Sequence, residues 1–353
     1  MADFKDNINQ IIQGDCLEIM RLWPDNCVDL VVCSPPYEDA RTYGIDFNLK
    51  GQDWVDWAIE RFIECVRISK GVVAWVVEGK TKQFQWTATP ALFMADLHRQ
   101  GVKLRKPPAF HRIGIPGSGG PDWLRNDYEF IVCASKGKLP WSDNTAMGHP
   151  PKWAPGGEMS HRLTDGSKVN QWGGNPKAGN HRKADGSRCK TGRPSHKYHT
   201  KRLATGEMET QGYNVPVKAN PGNVIKCNVG GGSMGSPLAH ENEAPFPERL
   251  PQFFIKSFCP ESGIVLDCFS GSGTTATVAY ENKRNYIGID VRQSQVDLTN
   301  KRLTKERKIM KIEDSCHIDS EEPILYDGDW DCKKQEVYRN PERVLFPAED
   351  KGQ

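Results

Sequence analysis

Gly263-Ile264-Val265-Leu266-Asp267-Cys268-Phe269-Ser270-Gly271-Ser272-Gly273-Thr274-Thr275 is the stretch that decides the fold. Its first residues form an apolar run of strand length, 263–268. A glycine-rich turn follows, and helical spacing resumes over Thr274–Lys283. Glycines let a backbone approach a ligand closely, and a helix N-terminus offers unpaired N–H groups. Asn285-Tyr286-Ile287-Gly288-Ile289-Asp290 is a second apolar run. It ends in a carboxylate placed to accept hydrogen bonds from ribose hydroxyls. Strand, glycine turn, helix and strand make half of an α/β sheet, with a nucleotide-type site at its carboxyl end. Gly271-x-Gly273-x-x-Ala276 also satisfies the dinucleotide fingerprint formally, and a plain structural turn fits it as well.

Outward from this stretch the same texture recurs upstream. Cys27–Cys33 is an apolar run ending at two prolines and reads as a buried strand. Asp53–Lys70 has helical spacing, with Trp54, Trp57, Ala58, Phe62 and Val66 on one side; Gly71 is expected to stop it before a strand at Val72–Val77. A helix is expected over 87–100, a strand over 127–134 and a helix over Pro247–Cys259. A basic amphipathic helix is expected from Gln293 to about Lys311.

Ser34-Pro35-Pro36-Tyr37 directly follows the first of these strands. The two prolines fix the backbone and carry no N–H. The carbonyls of Ser34 and Pro35, with the Ser34 side chain, can therefore accept the two hydrogens of an amino group. Such acceptors draw the amine out of conjugation with its ring and free its lone pair. Tyr37 offers a flat face for stacking. A plain strand-ending turn has the same sequence, so the tetrapeptide alone leaves both readings open.

Formal net charge is +2 over 353 residues. Residues 151–230 hold 14 Lys or Arg against 5 Asp or Glu, and 12 glycines. Residues 313–353 hold 5 against 12. A concentrated basic, loop-rich segment in an otherwise balanced chain is the footprint of a polyanion partner, or simply a solvated loop. No apolar run reaches the roughly 20 residues of a membrane span, and the N-terminus lacks signal-peptide features, so a cytoplasmic location is expected. The eleven cysteines include no Cys-x-x-Cys pair and read as buried free thiols. Cys316, His317 and Cys332 match no standard zinc spacing, and no metal is expected.

The tetrapeptide upstream, Phe269-Ser270-Gly271-Ser272-Gly273 far downstream and the variable insert between them resemble the beta class of amino-methyltransferases, the DNA N4-cytosine and N6-adenine enzymes. The resemblance spans most of residues 8–311. It implies a Rossmann-like methyltransferase sheet with helices on both faces, a permuted motif order and S-adenosylmethionine as methyl donor. It makes Ser34, Pro35, Pro36 and Tyr37 catalytic. Asp15 and Cys16, in Gly14-Asp15-Cys16, are expected at the adenine end of the donor. Phe246, opening Phe246-Pro247-Glu248-Arg249-Leu250, is expected near its methionine end. Asp267, Phe269, Ser270, Gly271, Ser272, Gly273, Thr274 and Thr275 form the cofactor loop, and Asp290 is the ribose acid. Asp15 capping a helix and Asp290 merely ending a strand are the plainer alternatives. Cys268 stands where the family usually has proline.

The implied organisation is a catalytic half at 1–135, a target recognition insert at 136–240, a cofactor half at 241–312 and an acidic tail at 313–353. Double-stranded DNA, read in a sequence-specific way with its target base flipped out, is the expected partner. Arg182, Lys183, Arg188, Lys190, Arg193, Lys197, Lys201 and Arg202 are candidate phosphate contacts. Arg41, with Asp39, either touches DNA or braces the loop. His181, Trp172 and Tyr198 stack near the base or fill space. A homodimer is an expectation of the class alone. Serine at the first tetrapeptide position favours cytosine N4 over adenine N6, and the chemistry of the two amines is otherwise alike. An inactive DNA-binding protein, methylation of a protein glutamine or RNA, and a nicotinamide dehydrogenase remain as other readings. Asparagine at position 34 would have pointed to the glutamine amide, and no acid–base pair for hydride transfer stands out.

Overall fold

The computed structural model describes residues 4–38, 47–114, 122–149, 218–229, 235–242, 245 and 247–316, with the backbone of four short strands between 150 and 217. Chain contacts divide it into two compact units, Met1–Ala146 with Gly222–Gln353, and Met147–Pro221.

The first unit is built on a nine-stranded mixed sheet. Its strands are β1 (Gln10–Gln13), β2 (Val28–Cys33), β3 (Ser69–Val77), β4 (Leu104–Arg105), β5 (Ala109–Ile113), β6 (Tyr128–Ala134), β7 (Val224–Asn228), β8 (Ile264–Asp267) and β9 (Asn285–Asp290). The order across the sheet is β1-β9-β8-β2-β3-β6-β5-β7, and β4 pairs with β6 beside β5. The five strands from β1 to β3 are parallel, β6 runs against β3 and β5, and β7 is parallel to β5. Lys106-Pro107-Pro108 separates β4 from β5, which share β6 as partner. Proline cannot donate to the ladder, which accounts for the break.

Both sheet faces are covered, so alternate residues of one strand serve two cores. Val73, Trp75 and Val77 of β3 pack with Trp54, Phe62 and Phe93 from α2 (Gly51–Ile68) and α3 (Thr89–Arg99). Val72, Ala74 and Val76 pack with Leu250, Phe254 and Ile255 of α4 (Arg249–Phe258). Ala276 and Val278 of α5 (Thr274–Glu281) and Leu303 of α6 (Gln293–Cys316) join that second core. The expected α/β sheet with helices on both faces is present.

Three details differ from the sequence reading. Gly71, expected to end the second helix, lies inside β3, and the helix stops at Ile68. A Cβ at Gly71 would collide with the Asp29 carbonyl, so the glycine is there for close approach of neighbouring strands. The last helix runs on to Cys316. Val224–Asn228 belongs to the first unit as the edge strand β7.

Among the described residues no helix is long and apolar enough to cross a membrane. The second unit carries two antiparallel pairs, His181–Arg182 with Arg188–Cys189 and Tyr198–Arg202 with Met208–Gly212.

Candidate active site

Parallel pairing puts the carboxyl ends of β1, β9, β8 and β2 on one edge of the sheet. Those ends lead into Gly14-Asp15, Asp290, the 267–275 loop and the 34–37 tetrapeptide. The chain leaves β8 for β9 on one side and β2 for β3 on the other. The gap between β8 and β2 is therefore the topological switch point, where open α/β sheets bind ligands. Four segments up to 275 residues apart in sequence meet there (Asp15 to Asp290).

The tetrapeptide is held by its third carbonyl. Trp54 Nε1 donates to Pro36 O at 2.8 Å. The carbonyl oxygens of Ser34 and Pro35 take part in no hydrogen bond among the described residues. Ser34 Oγ lies 3.3 Å from Val76 O and 3.3 Å from Tyr37 Oη. Tyr37 Oη donates to Glu129 Oε2 at 2.8 Å, and Arg112 Nη1 pairs with Glu129 Oε1 at 2.8 Å. Glu38, the next residue, is buried and takes the N–H of Gly51 at 2.8 Å and the hydroxyls of Thr87 and Thr89. Burial works to raise its carboxyl, but those donors hold it below the usual glutamate range.

The cofactor loop is turned by Gly271 and Gly273, at φ +50° and +76°. A Cβ on Gly273 would strike Thr299, whose hydroxyl donates to Gly271 O at 2.8 Å. Glycine is required there on both counts. Behind the loop, fully buried Arg302 donates to Ser272 O at 3.2 Å and Thr274 Oγ1 at 3.0 Å, and pairs with Glu248 at 2.7 Å.

Asp267 is buried, with Oδ1 accepting from Phe269 N at 3.0 Å. Its Oδ2 and the hydroxyl of Ser270 have no hydrogen-bond partner among the described residues. Burial, with the Asp290 charge added, pushes the Asp267 carboxyl up to about 7, against the Thr275 hydroxyl and the Phe269 N–H. An unpartnered buried carboxylate oxygen is costly unless a cation completes it. Asp290 accepts from Gly271 N and Arg292 N, each at 2.9 Å.

Asp15 does cap a helix: its Oδ1 accepts from Leu17 N at 2.7 Å, at the start of Cys16–Arg21. Its Oδ2 pairs with Arg61 at 2.8 Å. Burial raises this carboxyl, and Arg61 with the two backbone N–H groups more than offsets it, leaving it below the usual range. Phe269 closes the site with Trp75 and Trp57, ring centroids 5.3 and 5.7 Å away. Cys268 lies under the loop with its sulfur 3.5 Å from Cys33 and 3.8 Å from Cys65, so a compact apolar thiol cluster fills the position. Burial pushes the Cys33 thiol up to about 12, which keeps it protonated and unreactive.

Asp15, Cys16, Ser34–Tyr37, Asp267, Phe269–Thr275 and Asp290 are thus brought to one edge. Phe246, Arg41, Asp39, Trp172, Lys183, Lys190, Arg193 and Lys197 lie outside the described residues. His181, Arg182, Arg188, Tyr198, Lys201 and Arg202 are described as strand backbone only. Sequence reasoning missed Trp54 as anchor, Arg61, Arg302 and the Arg112–Glu129 pair. The one available signal was an acid, Glu129, inside the apolar run 127–134.

A family model described as DNA methylase, of the N6/N4 type, matches residues 28–301. The chain belongs to the N6/N4 DNA methylase family. This DNA methylase is 30% identical over 287 residues to the orphan methyltransferase M.BamHII of Bacillus amyloliquefaciens, covering 79% of this chain and 89% of that one. It is 24% identical over 308 residues to the type II methyltransferase M.HinfI of Haemophilus influenzae, covering 85% and 70%. Its fold matches the PvuII DNA methyltransferase (cytosine-N4-specific) with a TM-score of 0.54 at 16% identity, over 94% and 91% of the two chains. The methylase's donor, S-adenosylmethionine, fits the groups present. Its α-ammonium would complement Asp267 Oδ2, which has no partner among the described residues, and its hydroxyls would suit acceptors such as Asp290.

Proposed function

We propose that this DNA methylase transfers a methyl group from S-adenosylmethionine to the N4 amino group of a flipped-out cytosine in double-stranded DNA. The observation that carries the reading is the pair of unengaged carbonyls, Ser34 O and Pro35 O, at the switch point beside a loop with an unpartnered carboxylate.

The two amine hydrogens donate to those carbonyls. The nitrogen then pyramidalises, and its lone pair is released for attack. Bound donor would supply an electrophilic methyl on a sulfonium, whose carbon–sulfur bond breaks on transfer to leave a neutral thioether. Once alkylated, the nitrogen carries one proton too many. Ser34 Oγ takes it while passing its own proton to Tyr37 Oη, which passes its proton to Glu129 Oε2. The contacts of 3.3 and 2.8 Å along this line suit such a relay. Asp267 holds the donor's ammonium, Asp290 its ribose, and Asp15, Cys16 and Phe269 the adenine end. The resemblance assigns the methionine end to Phe246, which is outside the described residues.

Within the expected 136–240 insert, the second unit, 147–221, acts as the target recognition module in this reading. Arg182, Lys183, Arg188, Lys190, Arg193, Lys197, Lys201 and Arg202 hold phosphates, and Arg41 adds to them. Cytosine is preferred to adenine because Ser34 heads the tetrapeptide, as is commoner in the cytosine group. Mass spectrometry of nucleosides from DNA treated with protein and donor tests the reading. N4-methylcytosine is expected. N6-methyladenine alone would move the target to adenine within the same site.

A further inference from the structure

Beyond Val77, β3 leaves the sheet into a two-residue hairpin, Thr81–Lys82 against Gln85–Trp86. Gln83 and Phe84 form its tip, both left-handed at φ +51° and +62°. A turn with two positive φ values is the ordinary hairpin solution, but its usual residues are Asn and Gly. Holding Gln and Phe there strains the backbone at both positions. Phe84 is nevertheless 80% exposed, so no burial offsets that strain.

The hairpin is firmly based. Thr87 N donates to Lys80 O, and Lys80 N to Thr87 Oγ1, each at 3.0 Å. The Trp86 ring stacks on Phe130 with centroids 5.9 Å apart, and its Nε1 donates to Glu78 at 3.0 Å. Thr87 and Lys80 also donate to Glu38, the residue after the tetrapeptide. The base of the hairpin is thus tied to the residue that follows the tetrapeptide.

Two further apolar side chains stand at the same sheet edge. Trp123 is 78% exposed and Leu124 81%, in the segment entering β6, whose Phe130 pairs with Val77 at the end of β3. With Phe84 they are the three most exposed large apolar residues among those described. Lys82, Gln83 and Gln85 around the tip are exposed as well. Strain, a tied base, an apolar tip and polar, cationic shoulders do not describe a folding element. They do describe a part that enters a nucleic acid.

We propose that Phe84 is the wedge that enters the base stack as the target base leaves it. Lys82 sits on the adjoining phosphate, and Gln83 or Gln85 meets the base left without its partner. Apolar wedges between base steps are the general way proteins meet the cost of unstacking. The inference rests on the DNA reading given above.

The test compares two duplexes bearing the target site, one fully paired and one with an abasic position opposite the target. Phe84→Ala is expected to lower kcat/KM about 30-fold on the paired duplex and less than about 3-fold on the abasic one, where extrusion is nearly free. Phe84→Leu should fall between. Donor affinity measured by calorimetry should be unchanged, which shows an intact fold. Equal losses on both duplexes, or none on either, would overturn the wedge. A wild-type protein that methylates no DNA at all would instead bring down the functional reading and the wedge with it.

Discussion

The end of β2 and the end of β8 lie side by side, yet their polar atoms are treated in opposite ways. At β2 the side chains are mutually engaged: Ser34 meets Tyr37, Tyr37 meets Glu129, and Glu129 meets Arg112. At β8 two buried polar atoms, Asp267 Oδ2 and Ser270 Oγ, have no partner among the described residues. A closed network orients groups and moves protons. An open one waits for a charge. In the proposed mechanism the contrast divides the labour: the β8 end would bind the donor, and the β2 end would handle the amine.

Asp267→Asn attacks the open side. It removes the charge that meets the donor's ammonium, and donor affinity by calorimetry is expected to fall about 100-fold or more. Ser34→Ala attacks the closed side. Donor affinity should hold while kcat for transfer to DNA falls roughly 50-fold, as for loss of one positioned polar group at a reacting centre. If Ser34→Ala weakens the donor as much as Asp267→Asn does, the division of labour is wrong.

Acidity separates the two sides further. The Asp267 carboxyl titrates at about 7 in the folded protein against an ordinary 3.8. Below 7 it must lose a proton before it can meet the ammonium. Donor affinity should therefore fall about tenfold per pH unit below 7 and level off above it. Stability runs the other way. Between the ordinary value and 7 the folded chain holds a proton that the unfolded chain has lost. This contribution therefore declines as pH rises through that window and is flat above it. Asp267→Asn should remove both slopes in titrations and in thermal melts.

The smallest effect is expected at Glu129→Gln, about fivefold in kcat with unchanged donor affinity, because the relay keeps its geometry but loses its final acceptor. A pH profile shifted in this variant would mark a proton role. An unshifted one would leave Glu129 as a brace for Tyr37.

The open side was more legible in the sequence than the closed one. Asp267, the glycines and Asp290 lie within one strand-turn-helix-strand unit, Ile264–Asp290, and their spacing survives folding unchanged. The parts of the closed network come from residues 34, 37, 112 and 129, joined only by strand pairing. Glu129 looked like any acid in a strand until β6 was placed beside β3. Trp54 was read as one of an apolar stripe, and its indole N–H, which fixes Pro36, leaves no mark on hydrophobic spacing. β1 escaped notice because Ile11 and Ile12 are its only apolar residues between two glutamines. Gly71 misled because a glycine after a helical run usually marks a stop, whereas here a neighbouring carbonyl leaves no room for a side chain.

A crystal structure of the protein with a non-transferable donor analogue and duplex DNA bearing the target site tests the central claim most directly. The account predicts a single exocyclic amino nitrogen within about 3 Å of both Ser34 O and Pro35 O, with the donor's ammonium on Asp267 Oδ2. An extruded base whose amine meets neither carbonyl, or an ammonium held elsewhere, would contradict it.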